Sequence, residues 1–195
     1  MARYGKEHKA ATRQRIVETA ARRFKQDGID GSGIATLMAD AGLTNGAFYA
    51  HFESKDDLVA TVVGEQLGRQ AEEFSELPAG RAGLEAFVRE YLSVKHRDHP
   101  DVGCPSAALL DEIGRCTPAT KKAYTAGAKA IVDEICTRLA PEDPDSARGT
   151  ALALFTMVVG SMQLARALSD KKLSNAVLEQ GVQSAMAMLP TGSTT

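Results

Sequence analysis

The sequence predicts an all-α protein, and three observations carry that reading. Apolar residues recur at three- and four-residue spacing through most of the chain. No segment shows the period-two alternation that a half-buried strand requires, and no internal repeat is present. Between the helical stretches stand short clusters of Gly, Pro, Ser and Asp, which end helices.

Residues 12–27 form the first predicted helix. Ile16, Val17, Ala20, Ala21 and Phe24 share a face while Arg13, Arg15, Arg22 and Arg23 take others, and Gly28 ends it. Ser32 is placed to cap a short second helix in which Ile34, Leu37, Met38 and Ala41 fall on one side and Gly42 is the stop. Thr44 caps a third helix of about nine residues with Ala47, Phe48 and Phe52 inward, and Ser54 caps a long fourth reaching Glu76. After the breaker Leu77-Pro78-Ala79-Gly80, helices are expected near 81–97, 105–115, 118–140, 144–169 and 172–189, with Pro118 suited to a first turn. Disorder is expected at 1–8 and 190–195.

Composition fits a soluble globular chain of 195 residues, 44% hydrophobic and 25% charged, so a sizeable core needs no covalent staple. The net charge of −2 is unevenly spread: residues 1–55 hold nine Lys/Arg against six Asp/Glu, and the remainder is acidic. The N-terminal quarter is therefore the part suited to a polyanion, although a solvated helix face has the same composition. Cys104, Cys116 and Cys136 form no CxxC pair, and the opening MARYGKEHKAATRQR is not a signal peptide, which together imply a reducing cytoplasm. Ala151 to Leu168 has membrane-spanning length, but Thr156, Ser161, Gln163 and Arg166 within it point to a buried helix and no membrane.

Two short helices joined by Ala41-Gly42-Leu43-Thr44 have the form of a helix-turn-helix, Gly42 allowing the tight turn and Leu43 plugging the corner. The same pattern also describes generic αα-corners. Several residues sharpen it: Ile16, Ala20-Ala21, Phe24 and Gly28; Leu37 with Ala41-Gly42-Leu43; then Ala47-Phe48-Tyr49, His51-Phe52 and Ser54-Lys55. In this register Ile16 to Lys55 resembles the DNA-binding domain of the TetR family of transcriptional regulators. The resemblance covers roughly a fifth of the chain, and beyond residue 56 only the helical architecture is similar. It implies a three-helix helix-turn-helix domain at 1–55 and a helical effector-binding and dimerisation domain at 56–190.

The chemistry of the third helix agrees. Thr44, Asn45, Gly46 and Tyr49 lie away from the Phe48/Phe52 side, free to enter a major groove. Asn45 can bond adenine bidentately, Thr44 a base or phosphate, and Gly46 permits close backbone approach. By resemblance, Tyr49 and His51 contact phosphates and Lys55 adds another contact at the start of the next helix. Taken singly, Tyr49 also fits a half-buried aromatic, His51 a helix-end hydrogen bonder and Lys55 a surface lysine. Ala35 and Gly33 depart from the family pattern on the second helix, which leaves phosphate contact there to Ser32 and Thr36.

One such unit makes few contacts, so a homodimer on a pseudo-palindromic operator in double-stranded DNA is expected. The last two helices, 144–169 and 172–189, are the expected interface. Leu152, Phe155, Val158, Val159 and Met162 line the first, and Leu173, Val177, Val182, Met186 and Leu189 the second. The alternative is a monomer that buries these faces internally. The resemblance further implies a small-molecule effector site among the middle helices, with Phe87, Tyr91, Leu110, Tyr124, Ile131 and Phe155 as candidate lining residues.

Cys104, in Val102-Gly103-Cys104-Pro105-Ser106, falls at or just before the first turn of a helix. Unpaired N–H groups and the dipole there favour a nucleophilic, oxidisable sulfur. The Gly-Cys pair also resembles a TetR subgroup with electrophile- or oxidant-sensing members; a buried, inert cysteine is the other reading. His96, His99, Cys104 and Cys116 offer a metal-site alternative: the spacing His96-x2-His99 suits one, but the eleven residues between the cysteines fit no compact site. No phosphate-cradling Gly-rich loop, HExxH or nucleophile with base and orienter is present, so neither catalysis nor a cofactor is expected.

Overall fold

A computed structural model describes residues 2–190, with side chains from residue 7 onward, and every regular element among them is helical. Helix α1 (Ala2–Asp27) starts well before the apolar spacing does. Residues 2–8 are thus helical where disorder is expected: no proline interrupts them, and the lysines, alanines and glutamate that follow are good helix formers. Residues 191–195, also expected to be disordered, lie outside the described residues, while the Pro190 carbonyl accepts Arg81 Nη1 at 2.7 Å.

Helices α2 (Ile34–Asp40) and α3 (Asn45–Phe48) form the corner, and α4 (Lys55–Ser75) leads out of it. Ser54 Oγ accepts the Asp57 N–H and Asp57 Oδ2 accepts the Glu53 N–H, so the start of α4 is capped as its sequence predicts. Only four residues of α3 are α-helical, against nine expected. Turn bonds carry the chain on, with His51 N–H to Phe48 O at 2.9 Å and Phe52 N–H to Phe48 O at 3.0 Å.

The expected helix at 81–97 is two helices, α5 (Gly80–Tyr91) and α6 (Val94–Asp98). Ser93 breaks it by accepting the His96 N–H on its hydroxyl, a local alternative to the helical bond. A 3-10 turn (Pro100–Val102) precedes α7 (Pro105–Arg115), followed by α8 (Pro118–Leu139), α9 (Arg148–Ala167) and α10 (Lys171–Met188). Pro118 takes the first turn of α8, and Asp170 caps α10 through the N–H groups of Lys172 and Leu173.

The core runs without a break from Ile16 to Leu189. Helices α4 and α8 pack along each other, and at their closest approach any side chain at Gly127 would run into Leu67. Arg138 of α8 stacks over the Phe74 ring and donates to the carbonyls of Phe74 and Leu77, closing the end of α4. The apolar stretch at 151–168 turns Leu154, Val158 and Met162 inward against α8 and α10 and leaves Leu152 and Leu164 exposed.

Candidate nucleic-acid interface and ligand cavity

The corner is built by local hydrogen bonds that its sequence dictates. Leu43 N–H reaches Met38 O at 2.8 Å and Gly42 N–H reaches Ala39 O at 2.9 Å, the paired bonds of a Schellman stop. This requires a left-handed residue, and Gly42 has φ +66°. Leu43 then packs on the core, and Phe48 and Phe52 are buried in the same core as Ile16, Val17, Ala20 and Phe24 of α1. With those rings as its base, the opposite side of α3 is presented to solvent.

Thr44, Asn45 and Gly46 are exposed and Tyr49 is 68% exposed, its ring edge-on to Phe48 at 5.2 Å. Thr44 precedes α3 as its N-cap, but its hydroxyl makes no capping bond there. Thr36 is exposed on α2, and Lys55 is half-buried at the start of α4, flanked by Asp56 and Asp57 in the same turn. Thr36, Thr44, Asn45, Gly46 and Tyr49 are therefore all open to an external polyanion.

Two expected contacts are placed differently. Ser32 is 2% exposed and donates its hydroxyl to Gly28 O at 2.8 Å, so it stabilises the α1–α2 loop from inside. Gly33, not Ser32, is the N-cap of α2. His51 is half-buried with Nδ1 buried and unpartnered; burial first, then Lys9 and Arg13, lowers its pKa, so it offers a neutral ring. Several of the basic residues nearby are also committed internally. Arg23 pairs with Asp27 and Asp40, Arg13 pairs with Glu65 and lies over the Phe52 ring, and Lys25 points into the protein.

A cavity of about 420 Å³ opens between α4, α5 and the segment 95–105. Of the candidate lining residues, Phe87, Tyr91 and Cys104 reach it. Leu110, Tyr124, Ile131 and Phe155 do not: Ile131 and Phe155 are core, Leu110 packs against it, and Tyr124 exchanges a hydrogen bond with Ser106 Oγ at 3.1 Å. The polar part of the α4 wall is Gln66, Arg69, Gln70 and Glu73, spaced i, i+3, i+4, i+7. That polar stripe was the sequence signal for the site, but a solvated helix face has the same pattern.

Cys104 is the N-cap of α7 and largely buried; its sulfur accepts the Ser106 N–H at 3.3 Å. Its own N–H donates to His96 Nε2 at 3.1 Å, while His96 Nδ1 meets Tyr91 O at 2.6 Å. The ring is therefore neutral with the proton on Nδ1, and burial lowers its pKa accordingly. Gly103 packs so tightly on this ring that a Cβ there would collide with it. His96, His99, Cys104 and Cys116 do not assemble a metal site: among the described residues no group of three or more His, Cys, Asp or Glu is placed to hold an ion.

Comparison with known proteins gives a consistent result. The family described as "Bacterial regulatory proteins, tetR family" matches residues 16–62. The transcriptional regulator AcrR of Shigella flexneri is 39% identical over 62 residues, which are 32% of this chain and 29% of AcrR. The transcriptional repressor AcnR of Corynebacterium diphtheriae is 27% identical over 129 residues, 65% of this chain and 63% of AcnR. The match thus spans less than two thirds of either relative. Among solved structures, the reduced form of NemR from E. coli superposes with a TM-score of 0.80 over 94% of this chain and 99% of NemR, at 18% identity. That likeness concerns the fold alone.

Proposed function

We propose that this chain, which belongs to the TetR family of transcriptional regulators, is a cytoplasmic, non-enzymatic repressor that holds a palindromic operator as a homodimer and releases it when an effector occupies the cavity. The observation that carries the reading is the exposed strip Thr44-Asn45-Gly46 with Tyr49, held rigid from behind by buried Phe48 and Phe52. Polar donors on a short, firmly seated helix suit the major groove, where base edges are read. Tyr49, Thr36 and Lys55 supply backbone contacts around it. Residues 1–55 act as the reading head and 56–190 as the effector and dimer unit, although their core is shared.

The dimer reading is supported by the last two helices. Of seven large apolar side chains left exposed among the described residues, four lie there: Leu152, Leu164, Leu173 and Met188. A second copy covering them would form a four-helix bundle and set two heads on successive grooves. The operator comes from selecting bound sequences out of a random DNA pool. Purified protein is then titrated on the recovered site at several salt concentrations, and sedimentation gives the stoichiometry. A palindromic site, two chains per duplex and a steep salt dependence are expected. Sequence-independent binding, or one chain per site, overturns the reading.

Effectors of the small-molecule class and of the electrophile or oxidant class both fit the site. For the second, Cys104 on the cavity wall is the point of attack. Alkylating the purified protein should weaken operator binding and leave Cys104→Ser unaffected; unchanged affinity in both ends the covalent route.

A further inference from the structure

Two cations, the buried Lys25 and the half-buried Arg166, lie beside the cavity with no anion in ion-pair contact. Lys25, 7% exposed, donates to Gly103 O at 3.0 Å and Gln66 Oε1 at 3.1 Å. Arg166 donates to the carbonyls of His96 at 2.6 Å and Arg97 at 3.3 Å, and its Nη1 is buried with no partner. All four acceptors are neutral, and among the described residues no carboxylate lies within ion-pair distance of either side chain. Buried charges are ordinarily paired, so this arrangement leaves an unmet demand for negative charge.

Both cations lie behind the same short stretch, Gly103-Cys104, which forms part of the cavity wall. Tyr91 lines the cavity too, and its buried hydroxyl has no nitrogen or oxygen partner, only the Cys104 sulfur beside it. Burial, first, and then the adjacent Cys104 sulfur, a weak hydrogen-bond acceptor, keep it protonated, so it is a donor open to a stronger acceptor. Arg69 faces the cavity from α4. The lining carboxylates Glu73 and Glu90 are solvent-exposed, with Glu90 3.9 Å from Lys95, and water screens them far more than it screens the buried Lys25. Part of the wall is aromatic: Phe74 and Phe87 lie 4.7 Å apart and Phe87 and Tyr91 5.4 Å apart, centroid to centroid.

We propose that the cavity takes an aromatic carboxylate, its ring against Phe74 and Phe87 and its anionic oxygens on the Tyr91 hydroxyl and Arg69, at the end backed by Lys25 and Arg166. The proposal rests on reading the cavity as the effector site and supplies the ligand class. It also supplies a coupling. Lys25 belongs to α1, the helix against which the reading head is packed, and its ammonium would be drawn from Gly103 O toward the arriving anion. Desolvation, together with Arg69 and Arg166, brings the Lys25 pKa down to about 8 against the pull of Cys104 and Asp101. The carboxylate should therefore bind most tightly below pH 8 and more weakly as Lys25 loses its proton above it.

The test is calorimetric titration of the full chain with benzoate, 2-naphthoate and 1-hydroxy-2-naphthoate, beside 2-naphthoate methyl ester and 2-naphthylmethylammonium, with operator affinity measured in parallel. At least one carboxylate should bind about tenfold or more tighter than the ester, and the ammonium should not bind. Tyr91→Phe, which keeps the ring, and Arg69→Gln should each weaken the carboxylate several-fold and leave the ester unchanged. Equal or tighter binding of the ester or the amine, or no binding by any carboxylate, overturns the proposal. Carboxylate binding that leaves operator affinity unchanged supports the ligand class and overturns the effector reading instead.

Discussion

Glu112 is the clearest mechanical link between the cavity and the reading head, and its removal has a calculable effect. It lies on α7, the helix that Cys104 begins at the cavity wall. Its Oε2 accepts the N–H of Ile29 at 2.8 Å and of Asp30 at 3.3 Å, and the carboxylate lies against Gly28. Glu112→Ala leaves the Ile29 N–H, in a buried residue, without a partner, whereas the exposed Asp30 can turn to water. Losing one hydrogen bond to a charged acceptor at a buried donor costs about 2 kcal/mol. For a chain of this size that is a fall in Tm of roughly 4–8 °C. Glu112→Gln keeps an acceptor oxygen and should lose under about 1 kcal/mol. Denaturant titration and calorimetry measure both at fixed protein concentration, with the exposed Asp111→Ala as control. The loop clasp should also transmit the effector signal, so Glu112→Ala should bind operator with less response to ligand. If Glu112→Ala matches Asp111→Ala in stability and retains the full response, the link does not exist.

Three further outcomes follow from the geometry. Gly42→Ala meets no atom within 4 Å, so its cost is conformational alone, about 1 kcal/mol for forcing a left-handed backbone at φ +66°; a larger loss in denaturant titration would mean that the corner is packed more tightly than this. Asn45→Ala should cost about 1–3 kcal/mol on the selected operator and relax its sequence preference, while Lys55→Gln should weaken all DNA alike and reduce the salt slope by about one. His96 and His51 both titrate below their ordinary value of 6.5 because burial disfavours the charged ring. The unfolded chain then takes up protons first as pH falls through 6.5, and stability declines from there down to the folded values. Tm measured from pH 8 to pH 5 should show this decline, and His96→Gln combined with His51→Gln should flatten it.

What the sequence determines by itself is whatever a few neighbouring residues decide. The stop at Gly42, the cap at Ser54, the first-turn Pro118 and the inward Phe48/Phe52 pair are all legible, because each depends on hydrogen bonds and side-chain spacing within a turn or two. The break at Ser93 belongs to the same class, and its hydroxyl is the signal that an unbroken apolar pattern over 81–97 conceals. Tertiary structure decides the rest. Ser32 and Lys25 have the composition of surface residues, yet one bonds Gly28 O from inside and the other reaches Gly103, 78 positions away in sequence. The Gln66/Arg69/Gln70/Glu73 stripe becomes a cavity wall only because α5 and the 95–105 segment fold over it. Helix formation and capping are short-range, whereas burial, charge pairing and cavity shape depend on which distant faces meet, and that choice is made by the whole core at once.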